Sequence, residues 1–308
     1  MRRIAAGLIV IMSVLLVSCK GKTGNTITVG SDKLDNTQSY FSESMHKAAR
    51  CDSGYYYLDK CGASADNLMF YDDKSEESIV LCNKPQCGHD GEECMAYISG
   101  SEFKSELYYY NSYIYMISSK GNLVRISADG TQRTDLGSIC VLSGQDSVSM
   151  CFNDGYAYVS QEITGDIEGN VTVRLYRFNL DTGSSDKIYE ETGYGIGINS
   201  LKTYGSDTFF LKTSVSKDDK GLYSLEGKGI FRITGEDTEC LLDKNVYSYC
   251  IDADNNKLYY SGLGDGTIYE YDLGSGKSES IYESDNDTGY FYITFDGNYI
   301  WMDDEGYK

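Results

Sequence analysis

Proline is almost missing from this chain: Pro85 is the one copy in 308 residues. Tryptophan occurs once and histidine twice, at His46 and His89, which leaves little material for histidine chemistry. Positive charge is also scarce. Lys and Arg number 27 against 47 Asp and Glu, a formal net charge of −20. Such a balance argues against nucleic acid, whose phosphates need cationic partners, and against electrostatic docking on anionic lipid. No long apolar segment of helical period follows residue 50. A parallel α/β fold needs such helices as crossovers, so that class is excluded. There is no G-x-S-x-G element, no phosphate-binding loop and no dinucleotide fingerprint.

Tyrosine and glycine are abundant, with 29 and 33 copies, and 41% of the chain is hydrophobic. That content suits a folded core rather than an acidic disordered chain. Tyrosine favours strands and glycine favours tight turns, so the composition points to an all-β fold.

The first residues read as an address. Met1-Arg2-Arg3 is basic, and Ile4 to Val17 is apolar apart from Gly7 and Ser13. The run is shorter than the roughly 20 residues a membrane-spanning helix needs. Leu16-Val17-Ser18-Cys19 follows directly and resembles the bacterial lipobox. The resemblance implies cleavage after residue 18, lipid attachment at Cys19 and an extracytoplasmic protein anchored to the cell membrane. Residues 19–50, rich in Ser, Thr, Asn, Gly and charge, read as a flexible tether. Thr26-Ile27-Thr28-Val29 within it alternates like a lone strand.

From residue 51 to residue 308 the text repeats. A turn residue followed by an aromatic strand recurs six times, 41 to 58 residues apart. The copies are Gly54–Tyr57, Ser112–Tyr115, Gly155–Tyr158, Asp207–Phe210, Lys257–Tyr260 and Asn298–Trp301. A second strand phrase follows the first five copies, at Leu68–Tyr71, Leu123–Ile126, Leu175–Phe178, Ile230–Ile233 and Ile268–Tyr271. A turn and one further strand close each unit. Units of three or four short strands over roughly 40–50 residues match the blades of a β-propeller. The expectation is therefore five full blades and an incomplete sixth. Either Thr26–Val29 completes that last blade, or the chain is a piece of a longer propeller; the strand count favours the second.

Tyr108–Tyr115 followed by Leu123–Gly130 is similar to a bacterial surface-lipoprotein β-propeller family related to low-density-lipoprotein-receptor-like (YWTD-type) and TolB-like repeats. The resemblance covers about residues 50–308 and implies a propeller on the cell surface. The YWTD tetrapeptide itself is absent.

Nine cysteines follow Cys19. Cys51, Cys151 and Cys250 each precede an aromatic phrase and read as buried small residues on the innermost strand of a blade. Cys82, Cys87, His89 and Cys94 differ. Their C-x4-C-x-H-x4-C spacing gathers three thiols and one imidazole in one loop, the ligand set of a Cys₃His zinc site. Four protein ligands leave no open position, so a structural zinc is expected rather than a catalytic one. The alternative is a disulfide-stapled loop drawing on Cys61, Cys82, Cys87 and Cys94, since extracytoplasmic compartments oxidise thiols. The loop, at about residues 82–96, reads as an insertion between blades, with Gly88 providing its tight backbone path. It also resembles a Cys-x-Lys-Pro-x-Cys-x-His element of similar propeller lipoproteins. Asp252–Asn256 has carboxylate spacing reminiscent of calcium loops but reads as a turn.

These features favour a non-catalytic, lipid-anchored propeller that binds a protein or glycan at the cell surface. The rival is a glycoside hydrolase or lyase, for which two carboxylates about 5–10 Å apart beside an aromatic-lined pocket are required.

Overall fold

The structure, a computed structural model, describes residues 48–304 apart from 100–102, 104–106, 144–145, 166–168, 205–206, 236, 285–288, 290 and 296–297. Cys19, His46 and Thr26–Val29 lie outside the described residues. No described residue is helical, and none of them belongs to a helix long and apolar enough to cross a membrane.

The strands form six sheets in chain order. The first holds β1 (Ala48–Cys51), β2 (Gly54–Lys60), β3 (Ala65–Asp72) and β4 (Glu77–Val80), with β5 (Tyr97–Ser99) also on β3. The second runs β6 (Tyr108–Tyr110), β7 (Tyr113–Ile117), β8 (Asn122–Ser127) and β9 (Arg133–Ser138). The third comprises β10 (Ser147–Asn153), β11 (Tyr156–Thr164), β12 (Asn170–Asn179) and β13 (Ser185–Tyr194). The fourth comprises β14 (Gly197–Tyr204), β15 (Asp207–Lys217), β16 (Tyr223–Thr234) and β17 (Asp237–Leu242). In the fifth are β18 (Val246–Asp252), β19 (Lys257–Gly262), β20 (Thr267–Asp272) and β21 (Lys277–Glu283). The sixth pairs β22 (Phe291–Phe295) with β23 (Ile300–Asp304). The repeated aromatic phrase is the second strand of every sheet, and the second phrase is the third strand of the first five. β1 begins at Ala48, so residues 48–50 belong to the first sheet rather than to the segment before it.

Burial orders the strands within each sheet. In β7, Ile114 to Ile117 are all buried, and in β19 so are Leu258 to Gly262. Both faces of these strands are covered, so they read as unbroken apolar runs rather than alternating ones. The fourth strands lie at the opposite extreme: every residue of β21 is exposed. A sheet buried at its first two strands and wet at its fourth is a radial blade, with the early strands near the axis and the last at the rim.

Hydrogen bonds then join the second to sixth sheets in succession through their first strands. The Tyr108 hydroxyl of β6 accepts from the Met150 amide of β10 at 3.1 Å. Thr203 Oγ1 of β14 donates to the Phe152 carbonyl of β10 at 2.6 Å, and the Tyr249 hydroxyl of β18 donates to the Ser200 carbonyl at 2.6 Å. The Ile293 amide of β22 donates to Ser248 Oγ at 3.2 Å. Apolar packing fills the space between these bonds. Phe152 is fully buried, stacked on Tyr110 at 5.0 Å and set 4.6 Å from Tyr115, so the second and third sheets share one core. The fold is an all-β propeller.

Cys51, Cys151 and Cys250 lie on β1, β10 and β18, the first strands of their sheets, and all three are buried. Burial pushes the Cys250 thiol up to about 12 and Cys151 higher still, so both stay protonated, inert core residues. Asp252–Asn256 is a plain turn: Asp252 Oδ1 accepts from the Asn255 amide at 3.1 Å and Oδ2 from its side chain at 2.8 Å.

Candidate metal centre and axial cavity

The Cys/His loop does not lie between blades. It interrupts the outer strand of the first sheet. β4 pairs with the second half of β3, Met69 opposite Val80, and β5 pairs with its first half, Ala65 opposite Ser99. Leu68 of β3 stands between them and holds both ends of the loop. Its carbonyl accepts from the Leu81 amide at 2.9 Å, and its amide donates to the Ala96 carbonyl at 2.8 Å. Residues 82–95 are therefore looped out of one rim strand whose halves remain in register, with fully buried Leu68 at the join. The second sheet supports the strand from outside. Arg133 Nη1 donates to the Tyr97 carbonyl at 3.1 Å. Gly130, at φ +67°, comes so close that a Cβ there would stand 2.5 Å from the Leu81 carbonyl oxygen.

Within the loop, the three sulfurs and a ring nitrogen of Cys82, Cys87, His89 and Cys94 all lie within 4.8 Å of one another. His89 Nδ1 is 3.3 Å from Cys94 Sγ. Tetrahedral zinc with Zn–S near 2.3 Å and Zn–N near 2.0 Å would set sulfurs about 3.8 Å apart and nitrogen about 3.5 Å from sulfur. The four donors thus stand about one ångström from a closed coordination shell. Cys61, exposed, is not a member of the group, and no disulfide joins any described cysteine.

The backbone arranges this wrap in an unexpected place. Gly88 is not left-handed; Gln86 at φ 59° and His89 at φ 57° are. Two non-glycine residues in that region cost on the order of 1–2 kcal/mol each, a strain that persists only where the surroundings enforce it. Short local bonds secure the rest: the Cys87 amide donates to the Lys84 carbonyl at 3.3 Å and the Cys94 amide to that of Gly91 at 2.9 Å.

The thiols are electrostatically unequal. Burial alone would raise Cys82, but amides of Lys84 and Met95 and the thiols of Cys94 and Cys87 hydrogen-bond its sulfur and bring it below the usual thiol value. Cys94 moves the other way, up to about 11: it is buried and competes with Cys82 and Cys87 for charge, the Ala96 amide offsetting only part. Backbone amides aimed at sulfur are the support that metal-bound thiolates use.

A second feature lies on the axis. A cavity of about 370 Å³ is walled by the first strands of five successive sheets: Tyr108 on β6, Ser147–Met150 on β10, Ile198–Leu201 on β14, Tyr247 on β18 and Tyr292 on β22. Ser160 and Glu162 of β11, Leu211 and Thr213 of β15 and Leu225 of β16 complete its lining. The wall is mostly neutral and rich in hydroxyls. Ser149 and Ser160 share a 2.7 Å bond, and Asn199 Nδ2 donates to Thr213 Oγ1 at 3.1 Å. Tyr247 and Tyr292 pack against each other across the fifth and sixth sheets, tilted at 47° with ring centroids 4.9 Å apart. Glu162 is the single carboxylate among the described lining residues. Burial raises its pKa above the usual carboxylate value, and bonds from the Ile198 amide and Ser147 only partly offset this. None of these residues stood out in the sequence: the first strands carry no repeated phrase, and Ser160, Glu162, Leu211 and Thr213 lie beyond the aromatic phrases of β11 and β15.

No family model matches the chain, and no curated protein matches it. Among solved structures, the Swd1 (Cps50) β-propeller domain of Myceliophteria thermophila is 10% identical over 81% of this chain and 77% of that one, with a TM-score of 0.43. A nidogen/laminin complex gives 11% identity over 77% and 78%, with a TM-score of 0.39. An oligogalacturonate lyase from Vibrio parahaemolyticus gives 9% over 90% and 95%, with a TM-score of 0.36. Likenesses this distant carry no functional argument, and the fold rests on the strand topology described above.

Proposed function

We propose that the chain is a lipid-anchored, extracytoplasmic propeller that binds a glycan or protein at the cell surface and does not transform it. The observation that carries this reading is the axial cavity, a concave site with hydroxyl and aromatic walls and one carboxylate. Small-ligand sites have this make-up: a largely neutral wall with a few placed polar groups. Glycoside chemistry by the usual route uses two carboxyl groups, an acid paired with a base or nucleophile; Glu162 has no carboxylate companion among the described lining residues. The lipobox-like Leu16–Cys19 supports attachment to the membrane, and the acidic surface suits a partner other than nucleic acid.

The Cys82, Cys87, His89 and Cys94 cluster serves this module as a structural zinc site. Its donors are soft and borderline ligands within 4.8 Å of one another, and its loop is tied at both ends to one core residue of the first sheet. Bound metal would hold the two halves of the rim strand together.

The test is a glycan array and an envelope pull-down with the soluble form that starts after Cys19. Saturable capture of a defined glycan or surface protein, lost on blocking the cavity by Ser149→Trp, is expected. No capture by either route, or capture that survives the blocked cavity, contradicts the reading.

A further inference from the structure

Glu162 is out of place in the axial cavity. Among the described residues no Lys or Arg pairs with it. Its Oε1 accepts from the Ile198 amide at 3.0 Å and its Oε2 from Ser147 Oγ at 3.3 Å. A carboxylate has about four lone-pair positions, so two bonds leave it under-used. Lysines on the neighbouring strands are engaged elsewhere: Lys202 on β14 lies over the Tyr249 ring at 5.5 Å, and Lys212 on β15 pairs with Glu191 at 2.5 Å. Glu162 is half-buried, and partial removal of a carboxylate from water without a counter-charge is unfavourable. A group held at such a cost beside a cavity is suited to a cation that arrives with the ligand.

The rest of the wall narrows the class. One carboxylate is too few for calcium, which takes six to eight oxygens and several charged ones. Tyr247 and Tyr292 offer ring faces, which attract organic cations and stack on sugar rings. Ser149, Ser160, Asn199 and Thr213 supply hydroxyl and amide groups suited to a ring bearing several hydroxyls. A lysine side chain, with its apolar stem, would make little use of those groups. A volume of about 370 Å³ lies within the roughly 300–1,000 Å³ of small-ligand pockets.

We propose that the axial cavity recognises an amino sugar, with the ligand's protonated amine paired to Glu162 and its ring held between the tyrosines and the hydroxyl wall. This rests on the binding-module reading above and specifies its ligand. The acidic surface would draw such a cation in.

The test titrates the soluble chain by calorimetry at pH 7.5 with the β-1,4-linked glucosamine disaccharide and with its N,N′-diacetyl form. The two share one skeleton and differ in charge. The free-amine form is expected to bind at least tenfold more tightly. Glu162→Gln keeps the side-chain shape and an acceptor for the Ile198 amide, and is expected to lose at least tenfold in affinity for the free-amine form with its melting temperature retained or raised. Tyr247→Ala is the second variant, expected to weaken both sugars. Equal binding of the two disaccharides, tighter binding of a blocked lysine or of calcium, unchanged affinity in Glu162→Gln, or no binding at all overturns the proposal. If another glycan or a protein still binds at the cavity, the amine assignment alone fails. If the disaccharide is cleaved, the binding-module reading fails as well.

Discussion

Stripping metal from the Cys82, Cys87, His89 and Cys94 loop is expected to lower the melting temperature by about 8 °C. The magnitude follows from the geometry. The donors lie within 4.8 Å of one another, so the folded chain presents a nearly closed site, and the unfolded chain does not. A ligand that binds only the folded state at 1,000 times its Kd adds about 4.1 kcal/mol. For a domain above 200 residues, each kcal/mol moves the midpoint by roughly 2 °C or slightly more. Part of the metal's contribution offsets the left-handed Gln86 and His89. Calorimetry before and after dialysis against a chelator, with add-back of zinc or magnesium, measures the effect. Zinc should restore the midpoint and magnesium should not. A midpoint that ignores the chelator but falls on adding a thiol reductant would refute the metal argument and establish the disulfide alternative. A midpoint moved by neither reagent would refute both.

Other perturbations have equally definite outcomes. Phe152→Ala removes a fully buried ring between the second and third sheets and should cost about 3–5 kcal/mol in urea unfolding; a loss below 1 kcal/mol would mean that the sheets do not share that core. Glu162 has a raised folded-state pKa, so its burial favours folding only while it is protonated, below the ordinary carboxylate range. That contribution is lost as pH rises through the folded pKa. Glu162→Gln should therefore be more stable than the parent at pH 8, with the gain vanishing towards pH 4; a gain that grows on acidification has the wrong sign. Cys19→Ala should release the protein from membranes or block its maturation, and labelling of that variant by a fatty-acid probe would refute lipid attachment there.

The fold was legible because each sheet repeats the same strand text, with the aromatic phrase always on the second strand. In the inner sheets, as in β7 and β19, that strand is covered on both faces, so its composition is tightly constrained. The Cys/His cluster was legible too, since three cysteines and a histidine within one loop stand out by spacing. Its place in the fold was not. Tyr97–Ser99 is too short to announce itself as the second half of the strand begun at Glu77, and only pairing to β3 reveals the interruption. Gly88 was the obvious candidate for the tight path, yet the left-handed turns fell to Gln86 and His89. The cavity was wholly hidden. Its wall is assembled from residues of eight strands far apart in sequence, and Glu162 is one acid among 47 acidic residues until the sheets bring it to the axis.

The central claim is that the cavity binds without transforming its ligand, and one measurement addresses it directly. The soluble chain is incubated with a mixed oligosaccharide library, and both the retained fraction and the bulk products are read by mass spectrometry. The account predicts retention of a subset of intact oligosaccharides with no change in the chain-length distribution. Shortened products that disappear with Glu162→Gln would contradict it.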